Sequence, residues 1–189
     1  HFGKKLRQDS KYVAAAGITY TWLEGSALTE EHLRFFYQCY EKTYEEHWSR
    51  PYLSWEFFLR SHLDRTLHFV LVLGARDGVP VASALNVKGD GMLYGRYWGS
   101  MEFVKGLHFE TCYLQAIRYC IGNGIQVFEG GAQGEHKMSR GLMPVRTFSA
   151  HHVQNRSFAV AIEDFLQKET ASVEGYVSEL TASSPFRHS

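Results

Sequence analysis

The order of apolar runs and chain breakers predicts a layered α/β (α+β) domain, a mixed sheet covered by helices. Three apolar segments at 66–75, 79–87 and 92–98 are divided by Asp77-Gly78 and by Gly89-Asp90-Gly91, the spacing of an antiparallel meander. A helical pattern over 107–121 runs directly into a short strand-like segment at 125–128, as in a crossover unit. Helix-period stretches lie on either side of these elements in the chain.

Taken in order, residues 17–23 read as a first strand, because Ile18, Thr19, Tyr20 and Trp22 suit a pleated, half-buried surface. Gly25 and Ser26 end it. Thr29 then offers a capping hydroxyl, with Glu30 and Glu31 in the first turn of a helix. Leu33, Phe36, Tyr37, Tyr40 and Tyr44 succeed it at helical spacing, and Pro51 interrupts. Trp55, Phe58, Leu59 and His62 suggest a short second helix. After the meander, Phe109, Cys112, Tyr113, Ala116, Ile117, Cys120 and Ile121 form the apolar face of a long helix that Gly122 and Gly124 stop. A short helix is expected at 135–140, closed by Gly141. Pro144 precedes a strand at 145–153, and an amphipathic helix spans 158–180.

Composition narrows the function classes. The chain has 189 residues, 44% hydrophobic and 21% charged, which fits one globular domain with a substantial core. Lys and Arg number 20, as do Asp and Glu, so the net charge is zero and no basic footprint marks a DNA-binding protein. Lys4, Lys5, Arg7 and Lys11 form a local basic segment, read as a solvated helix or tether. Cys39, Cys112 and Cys120 fit no metal or disulfide spacing and suit a reducing, cytoplasmic compartment. No apolar run reaches the ~20 residues of a membrane span, so no transmembrane segment is expected.

The most specific stretch runs from Phe128 to Lys137. An apolar segment empties into Gly130, Gly131 and Gly134, then delivers Glu135, His136 and Lys137 in succession. Strand-to-loop junctions of this kind are where a mixed sheet places ligand chemistry. Glu135 and His136 are candidate general bases, since imidazole accepts a proton near neutral pH and a buried carboxylate does so when its pKa rises. Glu135 would equally cap a short helix. Lys137 and Arg140 lie three apart and would share a helical face suited to phosphate or carboxylate. Glycines at 130, 131 and 134 permit close backbone approach to a ligand, or simply a sharp turn.

Earlier in the chain, Arg96 is unusual inside a sheet unless its charge is paired. Strict alternation places Tyr94, Arg96 and Trp98 on one face, and Glu110 or Glu129 could pair with the arginine. His108 and Glu110 sit near a helix start, where an acid also favours the helix dipole. His108, His136, His151 and Glu110 have no short metal-ligand spacing, so no metal is expected. Ser149 and His151 lack a nucleophile-elbow context.

These residues, read together, resemble the GNAT superfamily and more closely the FemAB-like peptidoglycan biosynthesis/recognition acyltransferases. The resemblance lies in Tyr94-Gly95-Arg96-Tyr97-Trp98-Gly99, Leu107-His108-Phe109-Glu110 with Cys112-Tyr113, Phe128-Glu129, Gly134-Glu135-His136-Lys137, Arg140-Gly141, Pro144, Thr147 and Ser149-Ala150-His151. It implies a GNAT-like mixed, largely antiparallel sheet with helices on both faces. It also implies a C-terminal half: residues 1–16 would connect from a missing N-terminal GNAT-like domain, 17–180 would be the single domain here, and 181–189 a flexible tail.

The resemblance implies activated-acyl transfer to an amine, with Glu135 and His136 as catalytic groups. Arg96, Tyr94, Trp98, His108, Glu110, Glu129, Gln133, Lys137, Arg140 and His151 would bind substrate, a small molecule or peptidoglycan precursor. Backbone groups at Gly130, Gly131 and Gly134 would contact an oxyanion or ligand. Acyl-CoA or aminoacyl-tRNA is the donor the resemblance suggests. The superfamily's Arg/Gln-x-x-Gly-x-Gly/Ala phosphate loop is replaced by Gly99-Ser100-Met101-Glu102-Phe103-Val104-Lys105-Gly106, which does not support acetyl-CoA. A noncatalytic module recognising a cell-wall fragment, peptide or polar metabolite is the alternative. A third possibility is a structural domain that depends on a partner.

Overall fold

Tight turns organise the sheet. The computed structural model describes residues 2–131, 137–138 and 141–182, which fall into two units, residues 1–133 and 134–189. In the first unit β1 (Ile18–Glu24), β2 (His68–Arg76), β3 (Val79–Gly89) and β4 (Met92–Ser100) pair antiparallel in chain order. Strand β5 (Val127–Glu129) adds parallel to β4, with Met92 opposite Val127. Asp77 and Gly78, at φ of 49° and 79°, make the first hairpin turn; Asp90 and Gly91, at 52° and 73°, make the second. Two successive left-handed residues match the twist of the flanking strands, which is why Asp-Gly serves at both places.

Helices cover both faces of this sheet. Helix α2 (Glu30–Glu46) is capped by Thr29, whose hydroxyl accepts from the His32 N–H while the His32 ring accepts from the Thr29 N–H. Together with α3 (Trp55–Leu63) it buries Phe36, Tyr40 and Phe58 against Phe69, Leu71 and Leu85. Helix α1 (Phe2–Ala15) packs on the opposite face, where Val13 joins Ile18, Val81, Ala82 and Leu107. The basic N-terminal segment is thus part of the core layer and not a solvated tether. Arg7 and Lys11 stay exposed while Val13 is almost wholly buried, as on any amphipathic helix.

The expected helix over 107–121 is present but not uniform. It consists of α4 (Leu107–Phe109), a π-helical turn (Glu110–Leu114) and α5 (Gln115–Gly122). A π turn holds extra chain per turn and rotates the residues beyond it about the helix axis. The buried row consequently begins with Leu107, Glu110 and Thr111 and continues through Tyr113, Ala116, Tyr119 and Cys120. Ile121, expected on the apolar face, lies 76% exposed.

Two bulges interrupt the ladder. Gly74 pairs with Ala82 and Ala75 with Pro80, leaving Val81 as the extra residue of β3. Leu85 pairs with Tyr97 and Asn86 with Gly95, leaving Arg96 as the extra residue of β4. Asn86 is buried beside the second bulge, and its amide donates to the Val70 carbonyl at 3.2 Å. Further along β4, α2 approaches so closely that a β-carbon on Gly99 would lie 2.1 Å from the Cys39 carbonyl oxygen. Thr43 Oγ1 stands within hydrogen-bond distance of both the Cys39 and Trp98 carbonyls, fixing helix to strand.

In the second unit, Lys137 and Met138 lie in a 3-10 turn, with Gly141 N–H donating to the Met138 carbonyl. Residues 145–153 form no strand, contrary to expectation; Val145 and Phe148 are 81% and 93% exposed. Alternating apolar residues supply a face, but an extended segment needs a neighbour for its N–H and C=O groups. Helix α6 (Arg156–Ala182) starts two residues earlier than the apolar pattern indicates. The Asn155 carboxamide oxygen caps it, accepting from Ser157 and Phe158 N–H at 3.0 and 3.2 Å.

Replacing Gly99 by Ala should lower the unfolding free energy by about 1–3 kcal/mol through overpacking. Urea denaturation checks this as a lower midpoint at unchanged slope.

Candidate functional site: a cleft at the bulge of β4

The bulge at Arg96 reverses the facing that alternation predicts. Because one residue is extra, Tyr94 and Tyr97 both share the face of their β3 partners Val87 and Leu85, while Gly95 and Trp98 take the opposite face. Tyr94, Arg96 and Tyr97 therefore stand together in the wall of one cleft of about 760 Å³, under α3. Trp98, predicted alongside them, packs behind the sheet on the His108 ring, with centroids 4.7 Å apart. The cleft floor is apolar, built from Leu85 and Val87 of β3, Phe69 of β2, Leu67, and Phe57 and Phe58 of α3. His68, Lys88 and Asp90 add polar groups to its lining. Its volume lies within the range of small-molecule sites, roughly 300–1,000 Å³.

Arg96 is the outward cation of this wall. Its Nη1 donates to Glu129 Oε2 at 3.3 Å, and its guanidinium carbon lies 5.3 Å from the Tyr94 ring centroid. Glu129 Oε1 accepts the Gly131 N–H at 2.7 Å. One carboxylate thus joins the bulge of β4 to the glycines that leave β5. Gly131, at φ 84°, adopts a backbone that only glycine reaches without strain. Beside Arg96, the Tyr97 and Tyr52 hydroxyls share a very short hydrogen bond. Burial, reinforced by that bond, raises the Tyr97 pKa, so both the phenol and its proton persist at neutral pH.

Other expected site residues have defined surroundings. Glu110 is buried and accepts from Ser10 Oγ, Gln115 Nε2 and Arg118 Nη1 at 2.5, 2.8 and 2.7 Å. It ties α1 to the π turn. His108 packs among Trp98, Phe109 and Tyr113. Gly130 is half-buried, between Glu129 and Gly131. In the second unit Lys137 accepts the Leu142 N–H at its carbonyl, and the His151 ring nitrogen lies 3.0 Å from Ser149 Oγ. Gln133, Gly134, Glu135, His136 and Arg140 lie outside the described residues. Among the described residues no group of three or more His, Cys, Asp or Glu is placed to hold a metal. Nor is any helix there long and apolar enough to cross a membrane.

Two groupings escape sequence reasoning. Tyr52 and Tyr97 are 45 positions apart, and no spacing in the sequence links them. The second grouping spans the sheet end: Lys88 Nζ donates to Glu24 Oε2 at 2.5 Å and Tyr119 donates to Glu24 Oε1 at 2.7 Å. Partial burial pushes the Glu24 pKa up, but the hydrogen bonds from Lys88 and Tyr119 outweigh it and hold the carboxyl below its ordinary 4.5. Hydrogen bonding to Glu24 raises Lys88 above 10.5.

Fold and cleft together define a mixed α/β domain with an aromatic ligand-sized site on one face of its sheet. A family model described as peptidoglycan biosynthesis/recognition matches residues 3–188, and the chain belongs to this FemAB-like family. Among solved structures, it is similar to the C-terminal domain of a protein assigned as a lysylphosphatidylglycerol synthetase from Agrobacterium fabrum. That similarity has a TM-score of 0.50 at 14% identity and covers 68% of this chain and 40% of the other, so it speaks to fold. The chain thus spans less than half of that structure's length. No curated protein matches.

The Glu24–Lys88 pair should leave a signature in acid. A carboxylate with a lowered folded pKa stabilises above about 4.5 and loses that contribution as pH falls through the folded value. Thermal melts of the native protein and Lys88→Met should differ at neutral pH and converge as the pH drops below about 4.5. A gap that stays constant down to about pH 3 would exclude the linkage.

Proposed function

We propose that this domain transfers an activated acyl or aminoacyl group to an amine. The observation that carries the proposal is the Arg96–Glu129–Gly131 connection. It joins a cation in the wall of a substrate-sized cleft to the glycine-rich exit of β5, the start of the chain's most specific family motif. Membership of a peptidoglycan biosynthesis/recognition family supports a cell-wall precursor as acceptor.

In this reading Arg96 holds an anionic part of a substrate. The amine nitrogen attacks the acyl carbonyl, the bond to the donor's sulfur or oxygen breaks, and the ammonium proton passes to Glu135 or His136. Lys137 and Arg140 contribute further positive charge for a phosphate or carboxylate, and backbone N–H groups among Gly130, Gly131 and Gly134 stabilise the oxyanion. These roles rest on residue chemistry and the family motif. Burial raises the Cys39 thiol to about 11 and also raises Cys120, so neither of these two offers a thiolate nucleophile at neutral pH.

Transfer is measured with a radiolabelled donor, comparing aminoacyl-tRNA with acyl-CoA and offering peptidoglycan precursors as amines. Glu135→Gln and His136→Gln should identify the base, one of them lowering kcat by roughly 10²–10⁴ with the melting temperature unchanged. Full turnover in both variants would reject the assignment. Thermal stabilisation by a precursor, with no turnover on any donor, would favour the recognition module.

A further inference from the structure

We propose that the cleft under α3 takes an amphiphilic anion, a carboxylate carried on an unbranched apolar chain or aryl group, with Arg96 and the Tyr97 phenol at its head and the apolar floor along its tail. The assignment deepens the reading of this cleft as a substrate site and rests on it.

The bulge is the first ground. In a regular strand, neighbours 96 and 97 would point to opposite faces of the sheet, and a cation and a phenol could not meet one ligand. With one residue extra, both line the same cleft. Bulges re-aim side chains in this way beside binding sites.

Donor capacity is the second. Among the described residues, Arg96 makes one hydrogen bond, to Glu129, and at 3.3 Å it is long. A guanidinium has five N–H donors in a planar fork suited to a carboxylate. Its side chain remains 43% exposed, so a ligand reaches it without rearrangement. When Tyr52 donates to Tyr97, the Tyr97 O–H is left to donate to a ligand. The head of the site therefore offers donors from two adjacent residues.

The floor supplies the remainder. Leu67, Leu85, Val87, Phe57 and Phe58 present hydrocarbon to the cleft, and Phe57 keeps 39% of its surface open to solvent. A ligand of charge alone would leave that hydrocarbon wet, whereas a chain several carbons long removes it from water. Lys88 spends two of its three N–H donors on Glu24 and Tyr119. Asp90 also lines the cleft and would oppose the anion, so a cationic amphiphile is the control.

Isothermal titration of the full chain with butyrate, hexanoate, octanoate and decanoate, against octylamine and octanol, tests this. Affinity should rise about fourfold per added methylene. Arg96→Gln should weaken octanoate by about tenfold or more while leaving octanol unchanged. Leu67→Trp, which fills the floor without touching the head, should flatten the dependence on chain length; circular dichroism confirms that both variants fold. Equal affinity along the series, preference for octylamine, or no loss in Arg96→Gln would overturn the amphiphile. If no carboxylate binds but a donor or precursor from the transfer assay still binds in an Arg96-dependent way, only the amphiphile is wrong. If neither binds, the cleft is not the substrate site.

Discussion

A strand in a ladder is bound to alternate, and the cleft of this protein has its lining because β4 breaks that constraint once. From Ala82 to Gly89 each residue of β3 has a partner in β4, yet between the partners of Leu85 and Asn86 β4 supplies one residue more than the ladder uses. The surplus falls on Arg96, a residue whose charge has no place in a regular buried strand. Pushing it out of register solves a folding problem and sets Arg96 beside Tyr97 in the cleft wall with the same displacement. Asn86 takes up the disturbance from behind, its amide donating to the Val70 carbonyl.

The two faces of the sheet then divide the work. On one, α2 is pressed onto β4 at Gly99 and holds α3 over the cleft, with aromatic rings from Phe36 to Tyr97 packed edge to face beneath it. On the other, buried polar groups do the fastening. Glu110 gathers one donor from α1 and two from α5, and Tyr20 and Thr111 share a hydroxyl hydrogen bond nearby. A carboxylate can be removed from water at tolerable cost when three donors meet it. The cleft face is thus free to carry apolar surface, because the opposite face supplies the directional contacts.

Much of this was legible in the sequence where local chemistry decides the backbone. Asp77-Gly78 and Asp90-Gly91 announced both hairpins, and Thr29 announced the start of α2, because each needs only a few neighbouring residues to act. The Arg96–Glu129 pairing was one of two options that charge alone suggested. Features that change the count of residues were hidden. Periods of 2 and 3.6 describe regular elements, so neither the bulge at Arg96 nor the π turn at Glu110–Leu114 leaves a trace in them. The exchange of Trp98 for Tyr97 in the cleft is a direct result of the first of these, and the exposure of Ile121 of the second. The role of α1 was masked by its lysines, and residues 145–153 showed that an alternating pattern is necessary but not sufficient for a strand.

The π turn makes length itself a structural variable. Leu107 before it and Glu110 at its first position face α1, and residues after it aim Ala116 and Cys120 toward Val70 and Leu93 of the sheet. An ordinary helix advances about 100° per residue. Winding Glu110–Leu114 as regular α-helix with no residue removed would swing one half against the other by about that angle. Either the carboxylate would leave its donors or the apolar row would leave the sheet. A side chain inside the turn can be exchanged for another of similar size, but the number of residues there acts as a phase that both packing faces read at once.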